Sequence, residues 1–323
     1  MLEKFLPVVV KFSPDADVII ADNASTDASL EYVKANFPAL RIIALDSNYG
    51  FAEGYNKALE QVDAEYYILL NSDVEVTQGW ITPLLSFMDA NSDVVACQPK
   101  LLDYNNKDFF EYAGALGGFI DRYGYPFCRG RIFDTVEKDC AQYDDACPIF
   151  WATGAAIMVR SKAFWSVGGF DSRFFAHMEE VDLCWRLRSR GGEIYSVPGS
   201  KVYHIGGATL HKSNPRKTFL NFRNNLLMLY KNLPEKELRS VMRMRALLDY
   251  VAAIKFLLSG NVCDCKAVVK ARKEYKKMRT SYEAVRNENI LHTVVEQPFG
   301  RTTFMLLWQY YARGRRCFNK LKY

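Results

Sequence analysis

The sequence predicts an α/β fold, a layered sheet of mostly parallel strands, followed by a helical region. Short apolar runs alternate with segments of helical spacing through the first hundred residues, and strand then helix, repeated, builds such a sheet. The charge is also divided along the chain. Residues 1–211 carry 18 Lys and Arg against 29 Asp and Glu, a balance of −11, while residues 212–323 carry 24 against 8, a balance of +16. Two regions with different partners are therefore expected, 1–215 and 216–323.

Taken in order, Leu2, Phe5, Leu6, Val9 and Phe12 have helical spacing. Val18-Ile-Ile-Ala-Asp22, Arg41-Ile-Ile-Ala-Leu45, Tyr66-Tyr-Ile-Leu-Leu70 and Val94-Val-Ala-Cys97 read as buried strands. Helices are expected between them over 30–37, 52–62 and 80–88. From 101 to 147 the pattern loosens into Gly, Tyr, Asp and Asn, a loop-rich insertion of the kind that often carries binding function. A strand returns at Ala155-Ala-Ile-Met-Val159, and a helix over about 181–190 is stopped by Gly191-Gly192. Beyond Lys212 the pattern is helical: 218–232, a break at Pro234, 237–258, and a basic stretch over 266–286.

Bulk properties remove several classes. With 49% hydrophobic and 24% charged residues the chain is not globally disordered. Its eight cysteines form no C-x-x-C pair and no regular spacing, which argues against a zinc site or a disulfide scaffold and suits a reducing cytoplasm. No secretory leader pattern is visible, and no segment reaches the ~18–20 uncharged apolar residues that a span requires. The nearest, 246–258, contains Asp249 and Lys255. The expectation is a cytoplasmic protein, soluble or peripheral at the inner face of the cell membrane. The basic second half lacks a nucleic-acid reader motif, so no nucleic acid is expected as partner.

In open α/β sheets ligands bind beyond the carboxyl ends of the strands. There the sequence places Asp22-Asn23-Ala24-Ser25-Thr26-Asp27 and Asn71-Ser72-Asp73-Val74-Glu75. Asp73 is expected at the sheet edge, where a hard divalent cation can share it with substrate phosphates; a turn or cap acid is the plainer reading. Asn48-Tyr49-Gly50-Phe51 opens a helix that continues to Asn56, and helix N-termini favour anionic ligands. Glu179-Glu180-Val181-Asp182 gathers three acids that repel one another, raising the proton affinity of at least one and suiting it to general-base work. Acids also favour the first turn of any helix. His204, one of four histidines, is a structural residue alone and a second metal ligand when taken with Asp73.

Together with Gly154-Ala155-Ala156 and Gly169-Phe170-Asp171, these clusters resemble family-2 glycosyltransferases, including the rhamnosyltransferase-like members of bacterial polysaccharide pathways, over about residues 2–230. The resemblance implies a GT-A fold, a Rossmann-like domain that binds a nucleotide-sugar, and inverting transfer from a nucleoside-diphosphate sugar, with UDP or dTDP as carrier, to a saccharide or lipid-linked saccharide acceptor. It implies that Asp22, Asn23 and Ser25, with Asn48, Gly50, Asn56 and Asn71, surround the nucleotide. It further implies that Asp73 and His204 hold Mn2+ or Mg2+. Glu180 stands where the family's base aspartate usually does, with Glu179 and Asp182 as rivals.

Two other readings compete. A sugar-nucleotide pyrophosphorylase would show a Gly-rich, Arg- and Lys-bearing loop after the first strand, whereas Asp22-Asn23-Ala24-Ser25 stands there. A non-catalytic relative that binds nucleotide-sugar is the second, motivated by Glu180. Near the end of the chain, Phe304-Met305-Leu306-Leu307-Trp308, Tyr310 and Tyr311 precede Arg313, Arg315, Arg316, Lys320 and Lys322, a combination that suits an anionic membrane surface or a packed helix with a solvated end. The resemblance also implies an opening strand between those ending at Asp22 and Asn71, in place of which this sequence begins with helical spacing. The expectation is that this strand is absent, that the natural start lies upstream, and that two interior strand edges are left unpaired at ~1–3 kcal/mol per buried group.

Overall fold

The structure, a computed structural model, describes residues 1–206 and 214–322. Helix α1 (Leu2–Phe12) leads into β1 (Ile19–Asp22), α2 (Ser29–Asn36), β2 (Arg41–Ala44), α3 (Gly50–Leu59), β3 (Tyr66–Leu70), β4 (Val74–Val76), α4 (Ile81–Ala90) and β5 (Val94–Asp103). The expected insertion is a set of short strands: β6 (Gly118–Ile120), β7 (Pro126–Cys128), β8 (Arg131–Ile132), β9 (Thr135–Val136) and β10 (Cys147–Pro148). Then follow β11 (Ala156–Arg160), α5 (Ser161–Ser166), α6 (Glu179–Ser189) and β12 (Glu193–His204). Helices α7 (Pro215–Asn232), α8 (Glu235–Leu258), α9 (Val262–Met278) and α10 (Glu283–Leu291) complete the helical region.

The expected alternation is present, but the sheet is mixed. β1 and β2 are parallel, as are β5 and β12, whereas β11 runs antiparallel to both β3 and β5. Since β11 is antiparallel to β5, the intervening chain returns from the end at which β5 finished, and no crossover helix is needed. Strand β12 escapes the sequence pattern because Pro198-Gly199 interrupts it, and its register against β5 shifts between Val197 and Lys201.

Among the described residues β1 pairs only with β2, in a sheet of its own, and β3 pairs only with β11. A cleft of about 380 Å³ lies between them, walled by α1 through Leu2, Phe5, Leu6 and Val9. The helix expected from the opening residues is formed, with Phe5 and Leu6 buried. No strand fills the position between β1 and β3 among the described residues.

One core spans the sheet, the insertion and the C-terminal helices, running from Leu69 and Ile157 through Phe127 and Trp185 to Leu227, Tyr275 and Leu306. The helical region thus shares its interior with the sheet-bearing half. Of the apolar tail, Leu306 and Tyr310 are buried, and Phe304 packs on Phe127 with ring centroids 5.8 Å apart.

Candidate active site

The turn from β3 to β4 carries Asn71, Ser72 and Asp73 past the end of the sheet. Asn71 N–H donates to Ala155 C=O at 2.9 Å, which fixes this turn against the start of β11. Asp73 is buried, and its Oδ1 lies 3.1 Å from Nε2 of His204, the last residue of β12. β4 pairs antiparallel with β12, with Val74 opposite His204, so the sheet itself brings the two side chains together. The far side of the imidazole meets a residue that sequence reasoning missed: Glu111 Oε1 is 3.3 Å from His204 Nδ1. The other oxygen of Glu111 accepts from Ala113 N–H at 2.6 Å and Gly114 N–H at 3.0 Å, so this carboxylate is clamped. Glu111 sits in the irregular stretch where no periodicity distinguishes one acid from another. Burial alone would lower the His204 pKa, but hydrogen bonding and charge from Asp73 and Glu111 overcome it and push the imidazole up to about 10.

The donor chemistry fits a divalent cation. A carboxylate and an imidazole Nε2 converge on one point, and a second carboxylate on the opposite ring nitrogen is the usual means of holding the tautomer that frees Nε2 for a metal. Two protein ligands leave room for phosphate oxygens, the normal manner in which Mg2+ and similar ions bind. Among the described residues no group of three or more candidate ligands occurs. Gly207, next to this motif in sequence, lies outside the described residues.

The asparagine-rich loops form a connected layer. Asn23 Oδ1 accepts from Tyr49 N–H at 3.0 Å, and its Nδ2 donates to Gly50 C=O at 2.8 Å. Asn48 Oδ1 accepts from Gly50 N–H at 3.0 Å, while Asp22 Oδ2 accepts from Ser25 N–H at 3.2 Å. Gly50 has φ +77°, and a Cβ there would lie 2.5 Å from the Phe175 ring, so a side chain is excluded on both counts. Asn23, Gly50 and Asn71 line the cleft between β1 and β3. Asn56, expected beside the nucleotide, is committed elsewhere. Its Nδ2 donates to Phe170 C=O at 2.8 Å and its Oδ1 accepts from Phe170 N–H at 3.0 Å, tying α3 to the segment that leads into the acids.

That segment is strained. Phe175, His177 and Met178 all have positive φ (66°, 71° and 72°), each costing a non-glycine residue ~1–3 kcal/mol. Two devices hold it. Phe175 C=O accepts from Phe51 N–H at the start of α3, and Asn224 of α7, fully buried, donates through Nδ2 to Phe174 C=O at 2.9 Å, Ala176 C=O at 2.9 Å and His177 C=O at 2.8 Å. The result aims the first turn of α6. Glu179 is buried, and burial, then the charges of Glu180 and Asp182, lift its carboxyl well above the usual range. Burial also raises Glu180, against opposing backbone hydrogen bonds. One oxygen of each glutamate is buried without a hydrogen-bond partner.

Asp182 differs from them. Its carboxylate accepts from Arg186 Nε at 2.9 Å, Lys231 Nζ at 3.0 Å and Asn232 Nδ2 at 2.8 Å, which spends it on joining α6 to α7. As a rival base it is therefore displaced by the geometry. Gly154 connects the remaining pieces: a Cβ built there would be 3.0 Å from Phe51 Cζ and 3.7 Å from Glu180 Cβ, and the next residue, Ala155, holds Asn71. The Asp73 turn and Glu180 thus flank one glycine.

Residues 2–151 match the family model for glycosyl transferase family 2. This match contains Asp73 and Glu111 and stops before Glu179, Glu180 and His204. The chain is similar to the N-acetylglucosaminyl-diphospho-decaprenol L-rhamnosyltransferase of Mycobacterium tuberculosis, 28% identical over 218 residues, covering 63% of this chain and 71% of that protein. It is also similar to rhamnosyltransferase WbbL of Escherichia coli K12, 23% identical over 230 residues, covering 69% of this chain and 84% of that one. Among solved structures, GalNAc-T7 with UDP, GalNAc and Mn2+ superposes with a TM-score of 0.56 at 15% identity, over 88% of this chain and 54% of that one. TarS 1-349 of S. aureus with UDP-GlcNAc gives 0.54 at 14% identity, over 90% and 85%. These two likenesses establish the fold.

Proposed function

We propose that the chain is a family-2 glycosyltransferase of the GT-A fold and that it transfers a sugar, with inversion, from a UDP- or dTDP-sugar to a hydroxyl of a saccharide or lipid-linked saccharide acceptor in cell-surface polysaccharide synthesis. The observation that carries this reading is the placing of two unlike carboxylate sites around Gly154: Asp73 with its His204 partner, and the proton-affine pair Glu179 and Glu180. A leaving diphosphate needs charge neutralised at one end of the sugar, and an acceptor hydroxyl needs its proton taken at the other. Asp73 and His204 would hold Mn2+ or Mg2+, whose chemistry is to neutralise diphosphate charge. Glu111 fixes the His204 ring so that Nε2 faces Asp73. The Asn23, Asn48 and Gly50 layer shapes the nucleotide end of the cleft. Glu180, half-buried and beside Gly154, takes the acceptor proton, its proton affinity raised by burial. Attack by the acceptor oxygen forms the new glycosidic bond as the bond to diphosphate breaks, so one displacement inverts the anomeric carbon. The mycobacterial relative's name, which joins a diphospho-linked lipid with rhamnosyl transfer, supports a lipid-linked acceptor. The crystallised companions UDP and Mn2+ of GalNAc-T7 support a nucleoside diphosphate and a divalent ion.

Transfer assayed on Asp73→Ala and His204→Ala tests the assignment. Asp73→Ala loses nearly all turnover and His204→Ala loses less. Near-normal turnover by Asp73→Ala in saturating Mn2+ contradicts it.

A further inference from the structure

Helix α8 buries a charged pair along with Val241 and Ala253, and exposes much of its apolar surface. Its buried face carries Arg245 and Asp249, paired through Arg245 Nη2 to Asp249 Oδ1 at 3.1 Å, and Arg272 of α9 closes on the second oxygen of Asp249. Its outer face carries Leu247, Val251, Ile254 and Leu258, at 59%, 54%, 56% and 84% exposure. Their spacing of four, three and four residues aligns them in one stripe. A water-facing helix of a globular protein shows the reverse order. The stripe is also extended: Lys255 Nζ lies 5.2 Å from the ring centroid of Tyr311, so the tail segment bearing exposed Trp308 and Tyr311 borders α8. An exposed apolar surface that continues across two chain segments marks an interaction site.

Charge identifies the occupant. From Arg239 to Arg279 every exposed charged side chain is basic, including Arg243 within the stripe and Lys255 at its flank. The acids in this interval, Asp249 and Asp264, are buried, and Glu274 is half-buried. Exposed Arg313 and Arg316 add to the field beyond Tyr311. Aliphatic side chains that enter the acyl boundary, aromatic rings at headgroup level and lysines or arginines around them complement a negatively charged bilayer. A second copy of this chain would bring the same positive field against itself.

We infer that the outer face of α8, together with Trp308 and Tyr311, docks the protein onto an anionic membrane surface. This docking is independent of the transfer chemistry, and no helix among the described residues is long and apolar enough to cross a bilayer. The tail contributes differently from its sequence pattern, since Leu306 and Tyr310 are buried in the core while Trp308 and Tyr311 are exposed.

Flotation with phosphatidylglycerol–phosphatidylcholine vesicles and with phosphatidylcholine vesicles tests the inference, using the wild-type chain, Ile254→Asp with Leu258→Asp, and Lys255→Glu with Arg243→Glu. All substituted side chains are exposed, so circular dichroism and transfer to a water-soluble acceptor serve as controls for folding. The wild type is expected to float with anionic vesicles only and to be released by salt. Each double variant is expected to lose about ten-fold or more in partitioning. Absence of flotation, equal binding to neutral vesicles, or unchanged binding by the aspartate variant overturns the inference. So does a dimer in solution that Ile254→Asp dissociates while no vesicle binding occurs, which assigns the face to self-association.

Discussion

At the residue scale, the two glutamates at the start of α6 are separable by experiment. Glu180→Gln retains size and hydrogen bonding but accepts no proton. A fall in kcat of roughly 100- to 10,000-fold is expected, with donor KM little changed. If Glu179→Gln is instead the inactive variant, the base is the neighbouring residue. Glu179 also makes a stability prediction. Its folded pKa is raised above the ordinary 4.5, so the folded chain holds this proton more tightly than the unfolded chain. Stability from this group is therefore complete below pH 4.5 and declines as pH rises through the window up to the raised value. Glu179→Gln removes that decline, and thermal melts across pH should show a flatter profile with a higher Tm near neutrality; a lower neutral Tm contradicts the sign. Asp73 and the acid cluster stood out as residue types because they follow a strand and open a helix, and His204 stood out only when taken with Asp73. Glu111 was not, since its role depends on a contact 93 positions away with His204. Nor was the difference between Glu180 and Asp182, which is made by Lys231 and Asn232 on another helix.

At the scale of elements, α7 supports the acids from behind. Asn224 closes three carbonyls of the strained 174–178 segment, so Asn224→Ala should let the first turn of α6 drift. A displacement of about 1 Å can cost ~100-fold in rate. The expected signature is a kcat loss with nearly constant donor KM in a chain that still melts cooperatively; a loss confined to KM would place Asn224 in donor binding instead. Lys231, buried between Asp171 and Asp182 at 2.7 and 3.0 Å, locks α7 to α6. Lys231→Met leaves both acids short of a counter-charge, and a destabilisation of about 3–5 kcal/mol is expected in denaturant titration, partly recovered by adding Asp182→Asn. A change below about 1 kcal/mol would show that the pair is solvated. Helical spacing predicted α7 because its apolar stripe is regular, yet the same pattern is silent on Asn224 and Lys231, whose value lies in what faces them. Strands with short apolar runs, such as β1, β2 and β11, were equally legible. β12 was hidden by Pro198-Gly199, and the short strands of the insertion by their two- and three-residue lengths.

At the scale of the molecule, the sequence carried the order of layers and the division of charge, because both are summed over many residues. It did not carry strand direction. The antiparallel β11 follows from where the insertion re-enters the sheet, which periodicity does not encode. The cleft between β1 and β3, the β4 to β12 ladder that joins Asp73 to His204, and Gly154 between that turn and Glu180 are the parts from which the proposed site is assembled. The most direct measurement is nucleoside diphosphate release from a panel of UDP- and dTDP-sugars, with and without acceptor saccharide and Mn2+, for wild type, Asp73→Ala and Glu180→Gln. Release of UDP or dTDP that needs both acceptor and divalent ion, and that collapses in both variants, is the predicted result. Release of pyrophosphate, or full turnover in chelator by either variant, would contradict it.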